Sequence, residues 1–149
     1  MDITLARALH LLGIIVWVGG MFFANFALRP AALLLPPPQR LPLLAAALGR
    51  FIAFTGVAVI VVLASGGWLI AAGGGMSAMP RAVHAMMTVG VVMALVYAYV
   101  AALPYRELRA AVARADWSAG GAAMARIRPL IVANLALGVV AAVMGAFAR

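Results

Sequence analysis

The chain contains two histidines, and they stand in matching settings: Arg7-Ala8-Leu9-His10 near the start and Arg81-Ala82-Val83-His84 past the middle. On a helix, each RxxH places its imidazole one turn, about 4.5 Å, beyond its guanidinium. Each motif also opens a long apolar run. Neutral imidazole ligates haem iron, copper and zinc, and two from facing helices can close both axial positions of a haem held inside a bundle. In the first run His10, Gly13, Trp17, Gly20 and Ala24 follow a 3-4-3-4 spacing along one face. The glycines of that face leave room for a flat porphyrin, and Trp17 can border it. Arg7 and Arg81 sit where propionates would emerge, and guanidinium groups bind carboxylates bidentately. The competing structural reading has the histidines meeting headgroups or carbonyls, the arginines snorkelling and the glycines marking close helix packing. Ionisable groups within apolar spans default to a functional reading.

Other chemistry has less to work with. Met76, Met79, Met86, Met87 and Met93 fall near the second histidine. Thioethers suit Cu(I), although Met is also a common packing residue. The three acids, Asp2, Glu107 and Asp116, all lie outside the apolar runs, so no carboxylate proton relay or carboxylate-based transport mechanism is available within them. The sequence has no HExxH and no phosphate loop. With no cysteine, disulfides, thiolate metal sites, iron–sulfur clusters and covalent haem attachment are excluded. All 11 basic residues are arginine, which excludes lysine chemistry. Asn25 and Asn134 read as hydrogen-bonding glue between helices, and Tyr97, Tyr99 and Tyr105 as interfacial anchors.

These residues must be carried by elements that live in lipid. Of 149 residues 68% are hydrophobic and 9% charged, with a mean hydropathy of +1.16, too few charges for the polar shell of a soluble domain. A hydrocarbon core about 30 Å thick needs roughly 20 apolar helical residues. Four stretches qualify, at about 3–28, 44–72, 81–103 and 129–148. The expected fold is all-α: one transmembrane domain, an integral membrane four-helix bundle. The first run is expected to stop at Arg29-Pro30 and is too long for a cleavable signal peptide. Pro36-Pro37-Pro38 predicts a stiff, extended first loop. The short loop from Gly73 to Pro80 predicts that spans two and three are antiparallel neighbours. A helical extension is expected from Tyr105 to Arg114, then a break over residues 116–121. No span is expected to carry a proline in its middle.

A net charge of +8 would point to nucleic acid in a soluble protein. Here most arginine lies between spans, where it sets topology and meets anionic headgroups, so no nucleic-acid partner is expected. The first and third loops hold Arg29, Arg40, Arg50, Arg106, Arg109, Arg114, Arg126 and Arg128, against Arg7, Arg81 and Arg149 on the other side. The positive-inside rule then puts both termini outside the cytoplasm (N-out/C-out). Both RxxH motifs fall in the outer leaflet, on parallel helices.

The stretch ALHLLGIIVWVGGMFFANFALRPA, residues 8–31, resembles the first helix of the copper-resistance D (CopD) domain and of the related HemJ-like integral membrane proteins. The resemblance is carried by the early His10, then Trp17-x-Gly19-Gly20, the Phe22-Phe23 pair and Arg29-Pro30. The third span and RPLIVANLALGVV in the fourth look similar to the same group. The resemblance implies a small helical protein of a bacterial inner membrane, with His10 as the first-span ligand and His84 as a second. HemJ-like proteins are associated with b-type haem and protoporphyrinogen oxidation, CopD proteins with copper uptake. HemJ-like proteins carry a lysine early in the third helix, where this chain has Met86, so the resemblance carries over haem binding, while the lysine that accompanies the oxidase activity has no counterpart.

The expected function is therefore binding of haem b between spans one and three through His10 and His84, serving electron transfer or a membrane oxidoreductase with a quinone or porphyrin partner. The alternatives are a copper-binding transport protein using the same histidines with neighbouring Met residues, and a non-catalytic subunit of a homo-oligomer or membrane complex.

Overall fold

Apolar side chains run all the way round the long helices, the pattern of helices whose solvent is lipid. In the first helix Trp17 and Met21 are buried while Leu11, Leu12, Ile15 and Val16 point outward. The computed structural model describes residues 2–147, and among them every regular element is helical. Helix α1 (Ile3–Phe23) passes through a π turn (Ala24–Leu28) into the short α2 (Arg29–Ala32). After a tight connection comes α3 (Pro37–Ala72), then a 3-10 turn, α4 (Arg81–Ala102), α5 (Pro104–Ala113) and α6 (Trp117–Phe147). Four helices are long and apolar enough to cross a membrane, and most of their residues are not buried inside the bundle. The protein is a multi-pass membrane four-helix bundle.

Prolines account for most differences from the expected boundaries. The first helix does not stop at Arg29-Pro30 but continues to Ala32. Pro30 has no N–H to give the carbonyl four residues back, and its ring crowds that carbonyl. The π turn just before it widens the ladder, with the Arg29 amide bonding the Ala24 carbonyl. The triple proline is not an extended loop: only Pro36 is extended, and Pro37 and Pro38 open α3 at its first two positions, where a missing N–H costs nothing. Consequently α3 begins well before residue 44 and carries Pro42. The fourth helix begins at Trp117 and runs through Pro129, forfeiting one ladder bond. The break expected over 116–121 is instead the three residues Arg114, Ala115 and Asp116, with Ala115 left-handed at φ 54°. Asp116 then starts α6 by accepting a bond from the Ala119 amide at 2.9 Å.

Packing pairs α1 with α3 and α4 with α6. Spans two and three are antiparallel, as their short loop requires, with Gly74 and Gly75 at φ +97° and +88° turning the chain. They are nevertheless slim neighbours, because α3 packs chiefly against the small-residue face of α1. A Cβ on Gly13 would lie 2.6 Å from Val62 Cγ2, and one on Gly20 2.5 Å from Phe51 Cε2. Gly13 and Gly20 thus seat α1 against α3.

Helix α3 has 36 residues, about 54 Å of length, which exceeds the hydrocarbon thickness. Its charge-free part is residues 51–72; residues 37–50, with Arg40 and Arg50, extend beyond it. The first turns of α6 do the same, and α5 folds back against them. Together they make a collar with its own apolar core around Leu41, Ala45, Leu48, Leu108, Ala123 and Ile127, in which Leu108 and Ile127 are 0% exposed. Glu107 of α5 and Arg126 of α6 form an exposed ion pair on it. The collar lies at the arginine-rich end; the bundle widens at the end bearing the histidines.

A candidate cofactor cavity at the histidine end

Beyond the packed layer formed by Trp17, Met21, Ala58, Val59, Met93 and Leu135, the four helices line an open cavity of about 420 Å³. Its size falls within the range of small-molecule and cofactor sites, roughly 300–1,000 Å³. Helix α1 contributes Arg7, His10, Ile14 and Trp17, and α3 contributes Val62, Leu63, Gly66 and Leu69. From α4 come Met86, Met87, Gly90 and Met93, from α6 Gly138, Ala142 and Gly145, and from the loop Met79.

His10 is held from α3. Its Nδ1 lies 3.0 Å from the Val62 carbonyl oxygen and 3.1 Å from Ser65 Oγ. A carbonyl can only accept, so Nδ1 carries the proton and donates it. Ser65 fits the same assignment, because its hydroxyl donates to the Val61 carbonyl at 2.5 Å and keeps a lone pair for the imidazole. Nε2 of the neutral ring is then an unprotonated lone pair, with no partner among the described residues. A carbonyl holding the far nitrogen is the usual support of a metal-ligating histidine. Gly66 makes the arrangement possible: a Cβ there would stand 3.1 Å from His10 Cε1.

The second RxxH is placed differently. His84 is exposed, its Nδ1 lies 3.2 Å from the Pro80 carbonyl of its own helix, and neither His84 nor Arg81 lines the cavity. The helix start explains this. Pro80 lacks an N–H but its carbonyl accepts, and the imidazole one turn on folds back to it. The structure therefore brings together His10, Arg7 and Trp17 but leaves His84 and Arg81 on the outer surface. Gly13 and Gly20 belong to the α1–α3 seam, as described above. The residues not singled out beforehand are Val62, Ser65 and Gly66. Their signal was Ser65-Gly66-Gly67, a small and polar interruption in the apolar run of α3.

Two more polar groups tie the bundle below the cavity. Asn134 Nδ2 donates to the Met93 carbonyl at 3.2 Å, joining α6 to α4. Tyr97, expected at the interface, instead points inward over Gly56 and donates to the Ile52 carbonyl at 3.0 Å. Tyr99 is exposed. Asn25 lies in the π turn and bonds no other helix among the described residues.

No protein-family model, curated protein or solved structure matches the chain. The functional reading therefore rests on the residues themselves.

Proposed function

We propose that the cavity binds haem b, which His10 would hold through Nε2, and that the protein serves electron transfer or a membrane oxidoreductase reaction with a quinone or porphyrin partner. The observation that carries this is the Nδ1–H···O=C bond from His10 to Val62, which fixes the tautomer and leaves a ligating nitrogen on a largely apolar wall. The donor set fits the group. Arg7 borders the same cavity and can pair with a propionate, while Gly66, Gly90, Gly138 and Gly145 keep its walls low. Bound haem would supply one-electron chemistry; the chain's own residues orient it, hold its carboxylates and exclude water. His84 lies outside the wall, so the bis-histidine pairing expected from sequence gives way to a one-histidine site. Met86, Met87 and Met93 line the cavity from α4, and a thioether together with a histidine is an established haem-iron ligand pair. The membrane is read as a bacterial inner membrane from the CopD/HemJ-like resemblance, and both termini as periplasmic from the arginine asymmetry.

A second reading has an observation of its own. Four thioethers, Met79, Met86, Met87 and Met93, line one cavity with a single imidazole, a donor set that suits Cu(I). Absorption spectra of protein made with ample haem, oxidised and dithionite-reduced, combined with metal analysis, separate the two. The expected result is a Soret band that His10→Ala removes and His84→Ala retains. Colourless protein carrying stoichiometric copper would replace haem by copper. Equal loss of the Soret band in both variants would restore the paired-histidine site.

A further inference from the structure

A second cavity, of about 470 Å³, opens at the other end of the molecule, between α2, the start of α3 and the middle of α6. Three guanidinium side chains line it, Arg29, Arg40 and Arg128, and beside them Leu33, Leu44 and Val132. No carboxylate balances them. The chain has three acids: Glu107 pairs with Arg126, Asp116 caps the Ala119 amide, and Asp2 begins the opposite end of α1. Arg29 and Arg40 are half-buried, so their mutual repulsion is screened less than that of fully solvated charges. A fold that gathers three cations in a groove and spends its acids elsewhere leaves the groove to an external anion.

Depth identifies the kind of anion. Arg29 closes the charge-free stretch that follows Arg7, and Arg128 immediately precedes the charge-free residues 129–147. Arg29 and Arg128 therefore lie at the boundary between hydrocarbon and headgroups, Arg40 lines the same groove from the collar part of α3, and Val132, one turn further along α6, lies on the hydrocarbon side. We propose that this groove is a binding site for an acidic phospholipid, its phosphate held by Arg29, Arg40 and Arg128, its glycerol end against Leu33 and Leu44, and an acyl chain leaving past Val132. The chemistry recognised is a phosphate ester, for which guanidinium forks are suited, and basic pockets between membrane helices are a known setting for such headgroups. The apolar half of the lining favours a lipid over free phosphate. The site is independent of the haem reading, since the two cavities share no residue.

The test uses the purified full-length protein in mixed micelles containing equimolar phosphatidylcholine and phosphatidylglycerol, with retained lipid read by native mass spectrometry. Wild-type protein should retain phosphatidylglycerol preferentially. Each of Arg29→Gln, Arg40→Gln and the exposed Arg128→Gln should lower that preference about fivefold. Arg106→Gln and Arg109→Gln, exposed on α5 outside the groove, should leave it unchanged. Equal retention of the two lipids by wild-type protein overturns the proposal, as does a preference that survives Arg128→Gln undiminished. Millimolar inorganic phosphate added to the micelles should leave the lipid bound; complete displacement would make this a site for soluble phosphate and overturn the lipid assignment.

Discussion

Inside the bundle, polar side chains have no bulk water to turn to, and each finds or lacks a partner in a way that sets its worth. Tyr97 bridges α4 to the Ile52 carbonyl of α3, and Asn134 bridges α6 to the Met93 carbonyl of α4. Such bonds between membrane helices average about 0.6 kcal/mol, because helices separated in the membrane also find partners. Tyr97→Phe should thus lower stability by about 0.6 kcal/mol, read as a small shift in the midpoint of unfolding by sodium dodecyl sulfate. Asn134 has a second feature. Its Oδ1 and Thr55 Oγ1 are buried without protein partners among the described residues. Both line an interior space of about 20 Å³, room enough for one bridging water. The site tolerates a neutral amide and not an ion. Asn134→Asp, nearly the same in shape, places a carboxylate deep among helices and should cost about 2.5–3.5 kcal/mol in the same assay. A loss as small as that of Tyr97→Phe would mean that water reaches the centre of the bundle.

At the scale of elements, the glycines of α1 separate packing from exposure. Gly13 is buried against Val62, whereas a Cβ on Gly19 would meet nothing within 4 Å. Gly13→Leu should force α1 off α3, at about 1–3 kcal/mol for overpacking, and loosen the grip of the Val62 carbonyl on His10. Gly19→Leu, on the lipid side of the same helix, should stay within about 0.5 kcal/mol of wild type. Unfolding midpoints and haem loading of the two variants, measured together, check both statements. The four apolar spans were legible in the sequence because lipid imposes a length that composition alone reveals. The α5 extension was legible because Pro104 and the polar run after it mark a new helix. The entry of α3 and the passage of α6 through Pro129 were not, because a proline breaks a helix or opens one according to which neighbours take up its orphaned carbonyl. In the site, Arg7, His10 and Trp17 were legible as types at a spacing. That His10 leans on Val62 while His84 folds back on Pro80 was not, since helix rotation depends on packing partners far away in sequence.

The whole molecule is unequal end to end, and that inequality predicts how it sits in a membrane. One end is a cavity with short, weakly charged connections; the other is a collar with its own buried core, Leu108 and Ile127 at its centre. Arg29, Arg40, Arg50, Arg106, Arg109, Arg114, Arg126 and Arg128 all lie on the collar or at its junction with the spans. Moving that end across a bilayer would carry a folded hairpin and eight arginines through hydrocarbon, against the bias that keeps arginine-rich loops in the cytoplasm. Among the described residues the opposite end has only Arg7 and Arg81 to translocate; Arg149, counted with them in the sequence, lies outside the described residues. Because the chain has no cysteine, single reporters can be added without removing anything. Ser77→Cys, exposed in the α3–α4 connection, and Ser118→Cys, exposed at the start of α6, mark the two ends. In intact cells a membrane-impermeant maleimide should modify Ser77→Cys at once and Ser118→Cys only after permeabilisation. Neutralising Arg106, Arg109 and Arg114, none of which lines the lipid groove, narrows the asymmetry from eight against three to five against three. A fraction of inverted molecules should then appear in the same assay. The reverse labelling pattern in the unaltered chain would move the His10 cavity to the cytoplasmic leaflet and the arginine groove to the outer one. Electron partners of the proposed haem would then have to be sought on the other side of the membrane.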